Sequence, residues 1–109
     1  MLVYVCSPFA ADKEHTVEEH RDFTIEYCRR VIDQGHMPVA SHLLYPQILN
    51  DSNPTERQLG LDFGLKLISL CDQLWVFGDR ISDGMEKEIN FAKARSMRVK
   101  YHLESEESS

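Results

Sequence analysis

Short continuous apolar runs alternate along this chain with longer segments in which apolar residues recur at helical spacing. The first run, Leu2–Cys6, is apolar and β-prone throughout and stops at Ser7-Pro8. This pattern predicts a central strand buried on both faces, which the proline then ends. Three more short apolar runs predict the remaining strands, the last of them edge-like: Met37–Ala40, Gln73–Phe77 and Arg98–His102.

Three longer segments with helical periodicity lie between these strands. The first is predicted over about Thr16–Gln34, because its apolar side chains recur every three or four residues and Gly35 follows as a natural C-terminal residue. The third is predicted over about Gly84–Ser96, with Ser82 or Asp83 as its cap. The apolar stripe of this third helix is expected at Met85, Ile89 and Ala92.

The second helix is predicted to begin at Asn53-Pro54, after a long loop over Ser41–Ser52. Asn53 is expected to cap it, Pro54 fits the first helical position, and Glu56 is expected to reach back to the cap. Its core-facing side is predicted to carry Leu59, Phe63, Leu67 and Leu70.

The order β-α-β-α-β-α-β predicts a single α/β domain over residues 1–103, with about four parallel strands and helices on the faces of the sheet. The acidic tail, 104–109, is predicted to be disordered. Ligands of such sheets bind at the carboxyl ends of the strands, near the topological switch point. A site is therefore expected in the three loops that reach this edge: Ser7–Asp12, Ser41–Asn53 and Gly78–Gly84.

Length and charge narrow the classes of function. The chain has 109 residues and a formal net charge of −6. The acidic balance argues against a nucleic-acid-binding surface, which needs clustered lysine and arginine. A chain this short buries one modest core and cannot wall a deep pocket on all sides. We therefore expect a homo-oligomer, a dimer or larger, in which neighbouring copies share pocket walls.

The cysteines and histidines indicate neither a disulfide framework nor a metal site. Three cysteines at irregular spacing, each in an apolar stretch, predict buried reduced thiols. The five histidines form no metal-ligand pattern with them, so neither a metal nor another cofactor is expected. The apolar run Leu2–Cys6 follows no basic segment and is too short to span a bilayer. We expect a soluble cytoplasmic protein without a membrane partner.

The segment Gly78–Glu88 carries the most informative chemistry, because it leaves a strand at the ligand edge and enters a helix start. Ser82 offers a hydroxyl and Gly84 an unencumbered backbone at that start, where free N–H groups favour an anion. Glu88 falls at the edge of the apolar stripe, and nearness to the helix N-terminus is expected to keep it ionised, as a nucleophile requires. The alternative is an ordinary solvated glutamate, which spacing by itself favours.

Other polar side chains are expected at the same edge. Ser7-Pro8-Phe9 either contacts a ligand or merely ends the strand, and it lacks a glycine-rich phosphate fingerprint. His42 follows the second strand, where a lone histidine is more often a packing residue than a catalyst. The second helix carries three charged residues at near-helical spacing, Arg57, Asp62 and Lys66. Either one side of this helix start reaches the site, or the three residues form a solvated charged face.

Four segments resemble the nucleoside 2-deoxyribosyltransferase superfamily, and most resemble its small, often phage-borne branch, which is related to deoxynucleoside monophosphate N-glycosidases. The likeness extends over about Leu2–Tyr101. The most specific segment is Ser82–Glu88, which is similar to the family's Gly-x-x-x-Glu helix start. The other carriers are Tyr4–Phe9, Gly35–His42 and Cys71–Gly78.

The resemblance implies a three-layer flavodoxin-like or Rossmann-like sheet, shared sites in an oligomer, and a reaction at the N-glycosidic bond of a (deoxy)nucleoside or its monophosphate. It gives Glu88 the role of nucleophile and Tyr4 that of holding it. Attack of water on the glycosyl-enzyme makes a hydrolase, and attack of a second base makes a transferase. The implied binding residues are Ser7, Pro8, Phe9, His42, Ser82, Gly84 and Met85.

The resemblance is less definite about the acid that serves the leaving base. Asp62 is the nearest carboxylate on the second helix, and Asp79 or Asp83 would supply a second. Arg57 would instead bind an anion. A site without such an acid would be a non-catalytic nucleotide-binding protein, a sensor or a sequestering protein, and this is the alternative function. A purely structural role is the third hypothesis and predicts no pocket around Glu88.

Overall fold

The computed structural model describes residues 1–103, so the tail predicted to be disordered lies outside the described residues. Four strands and three α-helices follow the predicted order, and each helix or strand boundary falls within two residues of its prediction. The predicted loop over Ser41–Ser52 contains two short 3₁₀ turns, Ser41–Leu43 and Tyr45–Gln47. The elements are β1 (Leu2–Cys6), α1 (Val17–Asp33), β2 (Met37–Val39), α2 (Pro54–Leu70), β3 (Gln73–Gly78), α3 (Asp83–Ala94) and β4 (Arg98–Leu103).

The four strands form one parallel sheet in the order β2-β1-β3-β4. The α/β prediction is thus confirmed. The strand β1 is central, and four of its five residues, Val3 to Cys6, have no exposed surface. After β1 the chain forms β2 on one side of β1 and then β3 on the other side. The topological switch point therefore lies between β1 and β3, where the loops after these two strands meet.

Helices cover both faces of the sheet and make three layers. On one face Val3, Val5, Trp75 and Phe77 pack with residues of α1. On the other face the alternate residues of the same strands pack with α2 and α3. Side chains on this second face therefore pack against the start of α3, which carries the predicted site residues Ser82, Gly84 and Glu88.

Local capping chemistry sets the helix ends. Gly35 has φ +86°, the left-handed conformation that glycine adopts without steric cost just after a helix, as predicted. Ser82, rather than Asp83, caps α3 and accepts a hydrogen bond from the Met85 N–H. Asn53 caps α2 as predicted. The Glu56 side chain does not return to the cap; it accepts from the backbone N–H of Asn50 at 2.7 Å.

The predicted core-facing side of α2 is wrong for three of its four residues, since only Leu67 packs, partly buried, against the core. Leu59, Phe63 and Leu70 are 40%, 38% and 60% exposed, and the buried residues of this helix are Gly64 and Ile68. Apolar residues occur on more than one side of α2, so periodicity does not single out the packed side. Gly64 lacks a side chain, so α2 lies close to the side chains of Glu88, Ser41 and Tyr4.

The three cysteines are free thiols. Cys6 and Cys71 are buried as expected, whereas Cys28 on α1 is only partly buried. Within residues 1–103, none of the helices combines the length and the apolar character that crossing a bilayer requires.

Candidate functional site

A cavity of about 400 Å³ opens at the carboxyl edge of the sheet. The three loops predicted to form the site contribute to its wall, together with the first turns of α2 and α3. Its volume is in the range of sites for small organic ligands. The lining includes nine of the predicted site residues: Ser7, Pro8, Phe9, His42, Arg57, Ser82, Gly84, Met85 and Glu88.

The carboxylate of Glu88 lies in this lining and is held from beneath by β1. The Tyr4 hydroxyl donates to Glu88 Oε2 at 2.7 Å. Its oxygen lies 2.7 Å from Ser41 Oγ. Because the single phenolic proton is directed to the carboxylate, Ser41 donates to Tyr4, and a directed chain runs from Ser41 through Tyr4 to Glu88.

The second carboxylate oxygen of Glu88 has a different neighbour. The Cys6 thiol donates to Glu88 Oε1 at 3.4 Å, within the longer distance usual for sulfur. Sequence reasoning assigned Cys6 only to the core. The sequence does contain a signal for the Cys6 contact. Residues two apart in a strand point to the same face, so Cys6 lies on the same face as Tyr4, which the resemblance assigns to holding Glu88.

The electrostatics of Glu88 differ from the expectation that the helix N-terminus keeps it ionised. Burial raises the pKa of Glu88, and the hydrogen bonds from Tyr4 and Cys6 oppose this effect without cancelling it. Glu88 is the sixth residue of α3, and a helix dipole acts mainly within the first turn. Burial also raises the pKa of Tyr4 and of Cys6, so both remain protonated donors.

Aromatic rings form one wall of the cavity. Phe9 and His42 stack with ring centroids 5.0 Å apart and an interplanar angle of 23°. Burial lowers the pKa of His42 to about 4, and a hydrogen bond with the Ser7 backbone acts in the opposite direction. The imidazole is therefore neutral near pH 7, and the pair offers a flat uncharged surface.

The loop after β1 is fastened to its surroundings by Asp12 and Ser7. Asp12 accepts from His20 and from the backbone N–H groups of Glu14 and His15, and it is paired with Arg80 of the loop after β3. These bonds and the Arg80 charge lower the pKa of Asp12. The Ser7 hydroxyl is buried and bonded to Thr24 Oγ1 at 2.8 Å, so it is engaged in holding the loop as well as lining the cavity.

Two predicted acids lie outside the lining. Asp62 is exposed and accepts from Gln58 on the surface of α2. The side of α2 that faces the cavity carries Glu56, Arg57, Gly60 and Leu61, and Asp62 falls beyond it. Asp79 is exposed and belongs to a different surface depression. Besides Glu88, the acids that line the cavity among residues 1–103 are Asp51, Glu56 and Asp83.

One group of side chains has the composition of a metal site. The ligand atoms of Glu14, His15 and Asp79 lie within 4.8 Å of one another, outside the cavity lining. Both acids are exposed, and such acidic groups commonly occur at protein surfaces without an ion.

Comparison with known proteins gives a family and a fold. A family model described as a domain of unknown function, DUF7768, matches residues 1–102. A search of curated proteins finds no match. Among solved structures, the chain is similar to a 2-deoxyribosyltransferase from the psychrotolerant bacterium Bacillus psychrosaccharolyticus, with a TM-score of 0.72 and 18% sequence identity. That alignment covers 97% of this chain and 74% of the other chain. The chain therefore belongs to the DUF7768 family and has the flavodoxin-like α/β fold of a nucleoside deoxyribosyltransferase.

Proposed function

We propose that this protein cleaves or transfers the N-glycosidic bond of a (deoxy)nucleoside or nucleoside monophosphate, with Glu88 as the nucleophile. The observation that carries the proposal is the Glu88 carboxylate in the lining of the cavity, with its Oε2 fixed by the Tyr4 hydroxyl at 2.7 Å. A nucleophile must hold one orientation toward the reacting carbon, and a buried hydrogen bond supplies it. The fold shared with a deoxyribosyltransferase supports the same assignment.

The reaction proceeds in two displacements. A carboxylate oxygen of Glu88 forms a bond to the anomeric carbon while the carbon–nitrogen bond breaks, and the electron pair leaves with the base. The base takes up a proton, and the sugar remains as an ester of Glu88. Water or a second base then attacks the anomeric carbon, loses a proton and releases the carboxylate, which gives a free sugar or a new nucleoside. Each step has oxocarbenium character, and a negative carboxylate stabilises that charge.

The cavity lining supplies matching binding groups. The stacked Phe9 and His42 rings provide a flat face on which a base packs. Ser82 and the backbone at Gly84 lie at the start of α3, where N–H groups favour sugar or phosphate oxygens. Arg57 makes no ion pair among the described residues and provides a positive charge for an anionic group at the mouth.

The acid that protonates the leaving base comes from the lining. Asp62 does not meet this requirement, because it points to the surface of α2. Glu56 is held through Oε1 by the Asn50 backbone N–H, whereas within residues 1–103 neither carboxylate oxygen of Asp51 or Asp83 has a hydrogen-bond or ion-pair partner. We assign the role to one of these two.

The site is completed in a homo-oligomer. Apolar residues at the cavity mouth and on the outer side of α2 are exposed in the single chain, among them Ile48 at 65% and Leu61 at 43%. Leu61 belongs both to this surface and to the cavity lining. A neighbouring copy that covers this surface would also close the cavity. The oligomeric state is measured by sedimentation at several protein concentrations.

The test is incubation with nucleosides and their 5′-monophosphates, followed by chromatography for the free base, with and without a second base as acceptor. Glu88→Gln is expected to lower turnover about 10³-fold or more, because it removes the nucleophile. Glu86→Gln, an exposed acid on the same helix, is the matched control and is expected to retain turnover. Full turnover by Glu88→Gln contradicts the mechanism. A rise in melting temperature with intact ligand and no free base supports the binding protein instead.

A further inference from the structure

Cys6 is a buried cysteine whose position is unusual for a core residue. It has no exposed surface and follows Tyr4 by two residues on the same face of β1. Its sulfur lies 3.4 Å from Glu88 Oε1, and the other acceptor within reach, the Met85 carbonyl oxygen, is farther away at 3.9 Å. The thiol therefore faces a carboxylate rather than apolar groups alone.

We infer that Cys6 is a positioning residue for Glu88: its thiol donates to Oε1 and, together with Tyr4 at Oε2, fixes the plane of the carboxylate in the cavity. With one donor on each oxygen, rotation about the last side-chain bond breaks both contacts at once. The kinetic consequence of this arrangement rests on the proposed function, whereas the hydrogen bond itself does not.

The two donors are unequal, and the inequality distinguishes the two oxygens. Oε2 accepts a short bond from a phenol, and a β-carbon built on Gly64 would lie only 3.4 Å from it, so α2 borders this oxygen closely. Among residues 1–103, the donor to Oε1 is the Cys6 thiol alone, and a thiol is a weak donor. A donor that stabilises a charged oxygen also lowers its basicity. Oε1 consequently retains more electron density and is the oxygen assigned to attack the anomeric carbon.

The chemistry of Cys6 is consistent with a permanent donor. Burial raises the pKa of the thiol, and the neighbouring Glu88 charge acts in the same direction. The sulfur therefore keeps its proton and is neither a nucleophile nor a metal ligand at neutral pH. A serine at this position would be a stronger donor with a shorter bond to its β-carbon, and an alanine would be no donor.

The experiment compares Cys6→Ala and Cys6→Ser with Cys71→Ala, a buried cysteine of the same cluster for which no contact with Glu88 is seen. The Glu88 pKa is measured by NMR titration of its side-chain carboxyl carbon, which needs no turnover. Cys6→Ala is expected to raise this pKa, Cys6→Ser to bring it back down, and Cys71→Ala to leave it in place. The acid limb of kcat/KM is expected to move with it, and Cys6→Ala is expected to lose about fivefold in kcat/KM.

A second measurement protects the test against variants that do not fold. The S–H stretching band of native Cys6 is recorded by infrared spectroscopy in the unsubstituted protein and in Glu88→Gln, and it is expected to shift because the charged acceptor is removed. An unshifted band, or equal Glu88 pKa values in Cys6→Ala and Cys71→Ala, overturns the inference. A shifted pKa in a protein that releases no base from any nucleoside or nucleoside monophosphate leaves the hydrogen bond standing and refutes the proposed function.

Discussion

Replacing Tyr4 by phenylalanine removes one buried hydroxyl group and leaves the ring in place. The residue has no exposed surface, so the hydroxyl makes its contacts inside the protein. Two bonds of 2.7 Å are lost, one from Ser41 and one to Glu88. The substitution therefore isolates the polar contribution of Tyr4 from its packing.

The expected loss depends on the charge of Glu88. A bond to a charged group contributes about 1.5–3 kcal/mol and a neutral bond about 0.5–1.5 kcal/mol. With Glu88 ionised, Tyr4→Phe is expected to lower the free energy of unfolding by about 2–4 kcal/mol, and with Glu88 protonated by about 1–3 kcal/mol. Because the folded pKa of Glu88 is raised, stability falls as pH rises from the unfolded value of about 4.3 through the folded one. Tyr4→Phe raises that pKa further and steepens the fall.

The assay is urea unfolding of Tyr4→Phe at pH 5 and at pH 8, together with Glu88→Gln and the double variant. The cycle is expected to give a coupling free energy of about 1 kcal/mol or more at pH 8. Tyr101→Phe, a tyrosine 46% exposed on β4, is the control and is expected to change stability by no more than about 0.5 kcal/mol.

Two results would refute the reasoning. One is a larger loss of stability at pH 5 than at pH 8, because a bond to the Glu88 carboxylate is stronger when Glu88 is charged. The other is additivity of Tyr4→Phe and Glu88→Gln within about 0.5 kcal/mol, which would show that the two side chains are energetically independent.

Three further predictions follow from the same contacts. Glu88→Gln is expected to melt at a higher temperature than the unsubstituted protein above about pH 4.3, because it removes a charge that burial disfavours. The difference in melting temperature is expected to widen as pH rises, and a lower melting temperature of Glu88→Gln at pH 8 would contradict this. Gly64→Ala is expected to gain up to about 1 kcal/mol from helix propensity. It is also expected to lose kcat/KM, because its methyl group would contact Glu88 Oε2 at 3.4 Å and would place an apolar group against the carboxylate. Gly60 also lines the cavity, so Gly60→Ala controls for the gain in stability only; unchanged kinetics in Gly64→Ala would contradict the placement. Asp12→Ala is expected to lower the melting temperature at pH 7. The pKa of Asp12 is lowered in the fold, so its contribution is present above the unfolded value of about 3.9 and is lost as pH falls through the folded value. The difference in melting temperature between the unsubstituted protein and Asp12→Ala should therefore shrink below about pH 4. A difference that stays constant down to pH 2 would contradict a contribution from the Asp12 carboxylate.

Much of the fold follows from local rules. The run Leu2–Cys6 predicts a buried central strand because an uninterrupted apolar segment needs cover on both faces. Gly35 and Ser82 mark helix ends through backbone conformation and capping, which depend only on near neighbours along the chain. The parallel sheet follows from the alternation of these elements, and its carboxyl edge then places the loops of the site.

The site itself needed the tertiary structure. Tyr4 and Glu88 are 84 residues apart, and only the packing of α3 on the sheet brings their oxygens to 2.7 Å. The likeness of Ser82–Glu88 to a known helix start suggested a role for Glu88, but the residues themselves left a solvated glutamate as the favoured interpretation. Asp62 was assigned as the nearest carboxylate to an acid that the resemblance implies on the second helix, and the direction of the cavity-facing side of α2 excludes it from the lining.

The sequence by itself determined the elements, their order and the edge at which the candidate site lies, because apolar periodicity and capping act over a few residues. The tertiary structure decided which side of α2 is buried, that Cys6 reaches the carboxylate, and that burial outweighs the helix start in setting the pKa of Glu88. These properties depend on distances and solvent exclusion between segments far apart in the chain, and no local pattern contains them.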